Sequence, residues 1–287
     1  MSAASLEAAH RHCADVTRAS GSSFLAAFWM FPREQRRALH AIYAFCRMAD
    51  DIADDESVRG DRTKLVAEWR RVLEDAYRGK SDHPVGIALG DAALRFRLRE
   101  EWLQDLLSGV EADLRGAPIE RFADLEHYCY CVASTIGLLV VAVRGLEGSG
   151  VREYAHTLGI AVQLTNVLRD VGADARAGRV YLAAEDLARF GVEPAALARG
   201  ELSEPIRLLL ALYAERARIR YERAACALPA ELRRAARPAH AMGAIYREQL
   251  ELLQRAGFPC LTSTLRLSRG RRLAIAARVW LGAGASA

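Results

Sequence analysis

Apolar residues recur at three- and four-residue intervals through most of the chain, and no stretch alternates apolar and polar positions over a strand's length. The pattern predicts an all-α protein. Pro32 stands at the start of the first long pattern, as proline does in a first helical turn. That helix should run to about Asp55, with 56–61 as a loop. Further helices are expected near 62–78, 84–95, 98–114, 121–145, 150–172, 204–226, 230–256 and 270–281. Gly79, Gly116-Ala117-Pro118, Gly148-Ser149-Gly150, Pro229 and Gly257-Phe258-Pro259 punctuate them. No linker is long enough to mark a domain boundary and no fixed-period repeat appears. The expectation is one α-helical domain over 1–287, with 282–287 a frayed tail.

Two helical stretches carry polar residues where the periodicity asks for a face near the core. In the first, Tyr43, Arg47, Asp50 and Asp54 are spaced by 4, 3 and 4, so they share one face. Leu39, Ile42, Cys46, Ala49 and Ala53 form the adjoining apolar stripe. Like charges one turn apart destabilise a helix, and acids at its C-terminal end oppose the macrodipole. An isolated D-x-x-x-D is more commonly a solvated acidic helix end, but a bound cation would remove both penalties. In the second stretch Gln163, Asn166, Asp170 and Asp174 share a face amid Ile160, Leu164, Val167, Leu168 and Val171. Amides and carboxylates in such surroundings are costly without partners.

Two such stripes suggest helices facing each other across a cavity. Carboxylates one turn apart rise by ~6 Å and can converge on ions between them. Oxygen ligands without His or Cys select Mg²⁺ or Mn²⁺, and Mg²⁺ typically bridges carboxylate to phosphate. The implied substrate is a diphosphate. Arg47 and Arg169 would bind its remaining oxygens; the same spacing also permits plain intrahelical ion pairs.

Composition narrows the partners. The net charge of +4 is spread along the chain and lacks the concentrated basic stripe of a nucleic-acid binder. Lysine occurs only at 64 and 80, so an anion site would be built from arginine forks. Six scattered cysteines form neither a zinc site nor a disulfide framework, and several sit among apolar residues as small buried thiols. There is no P-loop, no G-x-G-x-x-G and no H-E-x-x-H. The N-terminal residues lack a signal-peptide h-region. The longest strongly apolar run, 136–143, is far short of the ~20 residues a spanning helix needs. A cytoplasmic protein is expected, soluble or peripheral on the inner face of the cytoplasmic membrane. The segment 265–281, with five arginines among apolar residues, would either rest on an anionic membrane surface or close the core as a final helix.

Four motifs together resemble the squalene and phytoene synthases, the head-to-head prenyltransferases, over roughly 18–281. They are Ser20-Gly21-Ser22-Ser23-Phe24, Tyr43-Ala44-Phe45-Cys46-Arg47 leading into Asp50–Asp54, Tyr128-Cys129-Tyr130 followed by Val132-Ala133-Ser134-Thr135-Ile136-Gly137, and the run from Gln163 to Asp174 with Arg179-Val180-Tyr181-Leu182 after it. The resemblance implies an isoprenoid-synthase helical bundle around a central active-site cavity. It implies that Asp50, Asp54, Asn166, Asp170 and Asp174 hold several Mg²⁺ ions and the diphosphate. Ser20, Gly21, Ser22, Ser23, Tyr43, Arg47, Gln163 and Arg169 match diphosphate or substrate contacts. Tyr128 matches the family's active-site tyrosine and Tyr246 a C-terminal site tyrosine. Within the family, Gly21–Phe24, Phe45-Cys46-Arg47 and Ala244-Ile245-Tyr246-Arg247 look most like the presqualene diphosphate synthases of hopanoid pathways. That implies coupling of two farnesyl diphosphates without NADPH, the product passing to a downstream pathway enzyme. Phytoene synthase and full squalene synthase are the alternatives within the family. Outside it stand a D-D-x-x-D terpene cyclase, whose second motif differs from N-x-x-x-D-x-x-x-D, and an inactive helical scaffold.

Overall fold

Helices make up all the regular structure of this computed structural model, which describes residues 3–20, 28, 31–55, 58–116 and 118–282, the side chains of Ala3 and Asp54 excepted. No strand occurs among the described residues, as the periodicity requires. Gly21, Ser22 and Ser23, and the tail beyond Gly282, lie outside them. The chain forms two compact units, Met1–Arg115 with Leu138–Glu147, and Gly116–Gly137 with Gly148–Ala287.

The first unit contains α1 (Ala3–Ala19), α2 (Arg33–Asp54), α3 (Arg62–Tyr77), α4 (Pro84–Phe96) and α5 (Glu100–Arg115). Helix α1 was not expected. Its inner stripe is Ala9, His10, Cys13 and Thr17, all buried, which is correctly spaced but only weakly hydrophobic. Pro32 is the residue before α2 and sits in extended backbone, one position earlier than expected. Asp61 caps α3 by accepting from the Thr63 and Lys64 amides. Arg97, left-handed at φ 50°, ends α4 and delays the next helix to Glu100. The core centres on Phe45, whose ring stacks on Trp69 at 5.1 Å while the indole N–H donates to the Phe45 carbonyl at 3.2 Å.

The second unit contains α6 (Phe122–Cys129), a π-helical turn (Tyr130–Ser134) and α8 (Ser149–Arg176); the turn passes into α7 (Thr135–Val143), which belongs to the first unit from Leu138 on. The second unit also holds α9 (Ala184–Phe190), α10 (Pro194–Arg199), α11 (Glu204–Ala227), α12 (Arg237–Arg255) and α13 (Arg269–Trp280). The single helix expected at 121–145 is thus interrupted by the π turn. Helix α12 starts at Arg237 and not at 230, because Pro238 suits only a first turn. Helices α9 and α10 are too short to carry a legible period. Helix α8 is the axis of this core. Leu164 and Leu168 are fully buried among Leu209, Leu210, Tyr213 and Ala217 of α11. A Cβ on Gly159 would stand 2.4 Å from the Ser134 Cα, so α8 meets the π turn at glycine.

By length and composition Phe122–Val143 could cross a membrane. Its polar contacts are those of an internal helix: Ser134 and Thr135 are fully buried, and Ser134 donates to the His156 carbonyl of α8 at 2.6 Å.

Candidate active site

The first acidic stripe lies on α2. Leu39, Ile42, Cys46 and Ala49 point into the core, and Ala53 is half-buried at the fraying end. One stripe away, Tyr43 is half-buried while Arg47 and Asp50 are exposed. The Tyr43 hydroxyl donates to Ser20 Oγ at 2.9 Å, and Ser20 donates to the Thr17 carbonyl at 2.7 Å. Two of the expected substrate contacts are therefore already coupled. Arg47 pairs with Asp51 one turn on, at 2.5 Å, which is the intrahelical pair its spacing allowed. Asp54 ends the helix, its side chain outside the described residues.

No basic residue occupies the last turn of α2, so the acids there oppose the helix dipole. Arg62, the first residue of α3, supplies the missing charge. Its guanidinium donates to the Ala53 carbonyl and, at 3.1 Å, to that of Asp55. The acidic turn is held by a cation aimed at its carbonyls.

The second stripe lies on α8. Asn166 donates through Nδ2 to Gln163 Oε1 at 3.1 Å, while its Oδ1 is buried with no hydrogen-bond partner. A buried carbonyl oxygen in that state costs ~1–3 kcal/mol. Arg169 Nε donates to both Asp170 oxygens, at 3.0 and 3.2 Å, and its terminal nitrogen makes a further bond to the same group. Burial alone would lower the Arg169 pKa; the bonds and charge of Asp170, with Tyr246 alongside, raise it above the usual guanidinium value. The arginine therefore stays charged in a half-buried position, and Tyr246 of α12 belongs to its surroundings. Tyr128 on α6 stacks against Tyr181 at 5.1 Å and 24°.

The far end of α8 is pinned where Asp170 and Asp174 are presented. A Cβ on Gly172 would meet the Leu261 carbonyl oxygen at 2.3 Å, so α8 and the turn Pro259–Leu261 touch through backbone. Arg176 donates to the same carbonyl at 2.7 Å.

Among the described residues no three His, Cys, Asp or Glu side chains form a ready metal cluster. A divalent ion here would rely on one or two carboxylates, an amide oxygen, water and ligand phosphate, which is how Mg²⁺ is ordinarily held. The unpartnered Asn166 Oδ1, one turn before Asp170, is the hard donor such a set needs. Sequence reasoning did not single out Arg62, Asp51, Arg176 or Tyr181 for these roles. Asp51 and Tyr181 stood inside quoted motifs, whereas Arg62 and Arg176 act on backbone carbonyls that no spacing reveals.

A separate surface groove of about 440 Å³ lies between α6, α8 and α11. Its arginines are already matched, Arg220 to Glu126 and Arg223 to Glu153 at 2.7 Å, so it offers no free anion site.

The chain matches the squalene/phytoene synthase family model over residues 17–271, across both units. It is 32% identical to the 15-cis-phytoene synthase of Synechococcus elongatus, over 89% of this chain and 87% of that protein. It is equally identical to the chloroplastic phytoene synthase 1 of Zea mays, over 93% of this chain and 67% of that longer protein. Among solved structures, a dehydrosqualene synthase superposes with a TM-score of 0.84 at 29% identity, covering 98% of each chain. The squalene synthase HpnC from Alicyclobacillus acidocaldarius gives 0.81 at 25% identity, covering 88% of this chain and 95% of that one. The chain belongs to the squalene/phytoene synthase family of head-to-head prenyltransferases, with the isoprenoid-synthase helical fold.

Proposed function

We propose that the chain condenses two farnesyl diphosphates head to head into presqualene diphosphate. The observation that carries the catalytic part of this reading is Asn166 Oδ1, buried without a partner one turn before Asp170 in a chain matched to the family nearly end to end. By the family's pattern, Asp50 and Asp54 on α2, and Asn166, Asp170 and Asp174 on α8, would each hold Mg²⁺, and the ion would neutralise diphosphate when bound. Arg47 and Arg169 bind diphosphate oxygens. Departure of one diphosphate leaves an allylic cation. The C2=C3 bond of the second molecule attacks it, and loss of one proton closes the cyclopropane. Tyr128, held in its stack with Tyr181, orients the leaving group or the proton acceptor. The reaction requires that water, which would quench the cation, be kept out.

The farnesyl reading is supported by Phe45-Cys46-Arg47 and Ala244-Ile245-Tyr246-Arg247, which look like hopanoid-pathway enzymes. The names of the curated relatives favour a second reading, coupling of two geranylgeranyl diphosphates to phytoene. Incubation with each diphosphate and Mg²⁺, followed by mass spectrometry and diphosphate assay, separates them. The first reading requires one diphosphate released per two farnesyl diphosphates, an accumulating C30 diphosphate and no effect of NADPH. Two released per pair, with a C40 hydrocarbon from the longer substrate, establishes the second. A C15 hydrocarbon would identify a cyclase, and no Mg²⁺-dependent release an inactive scaffold.

A further inference from the structure

Helix α13 carries two apolar stripes, and the protein uses only one of them. Ile275 and Val279, four residues apart, are buried and close the core, as one of the two readings of this segment expected. Leu273, Ala277, Trp280 and Leu281 follow the i, i+4, i+7, i+8 pattern of a second stripe. That stripe faces out: Leu273 is 54% exposed, Trp280 48% and Leu281 81%. A helix that only closes a core has polar residues there.

The charges on the segment that bears this ridge are of one sign. From Leu252 to the end of the chain there are six arginines and no Asp or Glu. Arg271 is matched by Glu248 of α12 at 2.7 Å. Arg269 and Arg278 flank the ridge, exposed and with no ion pair among the described residues. The basic surface continues onto the start of α12. Arg237 Nη2 lies 3.4 Å from where a Gly282 Cβ would stand, and Arg233 and Arg234 are exposed in the turn before it.

We propose that this face of α13, with the start of α12, docks on an anionic lipid bilayer. Leu273, Trp280 and Leu281 would enter the level between headgroups and acyl chains, where an indole is at home. Arg269, Arg278 and Arg237 would reach lipid phosphates from the flanks, their stems lying along the apolar ridge. Charge complementarity selects this occupant: a surface on which arginines outnumber the one neighbouring acid, Glu248, around exposed Trp and Leu fits lipid phosphate and repels a second copy of itself. The inference rests on the surface and is independent of the reaction proposed above.

Vesicle flotation of the full chain tests it, using phosphatidylcholine alone and phosphatidylcholine mixed with phosphatidylglycerol. The protein should float with the anionic vesicles only, and added salt should release it. Arg269→Glu with Arg278→Glu, and separately Trp280→Ser with Leu281→Ser, should each reduce the bound fraction at least several-fold. These side chains are exposed, so circular dichroism and the melting temperature should match the parent. Equal flotation of parent and both variants would overturn the proposal. So would no flotation together with a dimer that Trp280→Ser and Leu281→Ser dissolve in sedimentation, which would make the ridge a contact between copies.

Discussion

Truncating Asp186 to alanine leaves the Arg216 guanidinium without its counter-charge in a pocket that admits little water. The carboxylate is 4% exposed, accepts from Arg216 at 2.5 and 3.2 Å and takes the Tyr213 hydroxyl at 2.9 Å. Arg216 also lies over the Phe122 ring at 3.8 Å. Breaking a buried pair from one side costs about 3–5 kcal/mol, so Asp186→Ala should lower the free energy of unfolding in urea by that much, with a correspondingly lower midpoint. Asp170→Asn sets the contrast. It keeps the shape on α8 and removes a charge that half-faces solvent, so the fold should hold while Mg²⁺-dependent diphosphate release drops by ~10²-fold or more. Retained release would remove Asp170 from the site. The thiols divide in the same way. Five cysteines are buried and Cys226 is exposed. Burial pushes Cys13 and Cys260 up to about 12, and Cys46 and Cys129 higher still, so the thiolate is scarce. A thiol reagent should therefore titrate one group in the native protein and all six after denaturation. The helix faces that carry Asp50, and Asn166 with Asp170, were legible in the sequence because their spacing is local. Asp186 was not, since its partner stands 30 residues away and nothing in Ala184–Phe190 announces it.

Helix α8 presents its carboxylates by close backbone approaches at two glycines, Gly159 and Gly172. At Gly172 the approach is backbone to backbone, and neither the Leu261 carbonyl nor the helix can step aside cheaply. Alanine is the better helix former by ~1 kcal/mol, so a free site would gain from the change. Here the added methyl must displace the Pro259–Leu261 turn or tilt the segment bearing Asp170 and Asp174. Gly172→Ala should destabilise by about 1–3 kcal/mol and cut turnover by more than its effect on the folded fraction explains. Gly270→Ala in α13, where a Cβ meets nothing within 4 Å, should be neutral or slightly stabilising by the same melting measurement. The pair separates crowding from propensity. Elements of this kind were legible wherever period and punctuation agreed: α3, α4, α8 and α11 fall within four residues of the expected limits at every end. The π turn was not, because one extra residue per turn leaves the apolar run unbroken in the sequence. It became visible only where Gly159 lets α8 close on Ser134.

The histidines show what the whole molecule does to groups that no motif claims. Five of the seven, His10, His40, His83, His156 and His240, have pKa values lowered by burial. For His40 the neighbouring Arg36 and Arg18 add to the effect, and it comes down to about 4. Its Nδ1 is buried with no hydrogen-bond partner, and its ring meets Phe28 edge-on at 5.2 Å. At His10 the nearby Asp91, at 3.2 Å, opposes the shift without reversing it. In the unfolded chain these groups take protons near pH ~6.5, while the folded protein resists until its lower values are reached. The stability they contribute is present above pH ~6.5 and is lost as pH falls through the folded values, toward about 4 for His40. The melting temperature should therefore drop steadily between pH ~7 and ~5, the range in which the unfolded state binds the excess protons. His40→Leu removes the imidazole driven furthest down and should flatten that profile while leaving the other four to act. The decisive comparison is the difference in melting temperature between the two ends of the range, in parent and variant. A parent whose melting temperature is level or rises toward pH ~5 would show that the buried imidazoles take up protons in the folded state as readily as in the unfolded one.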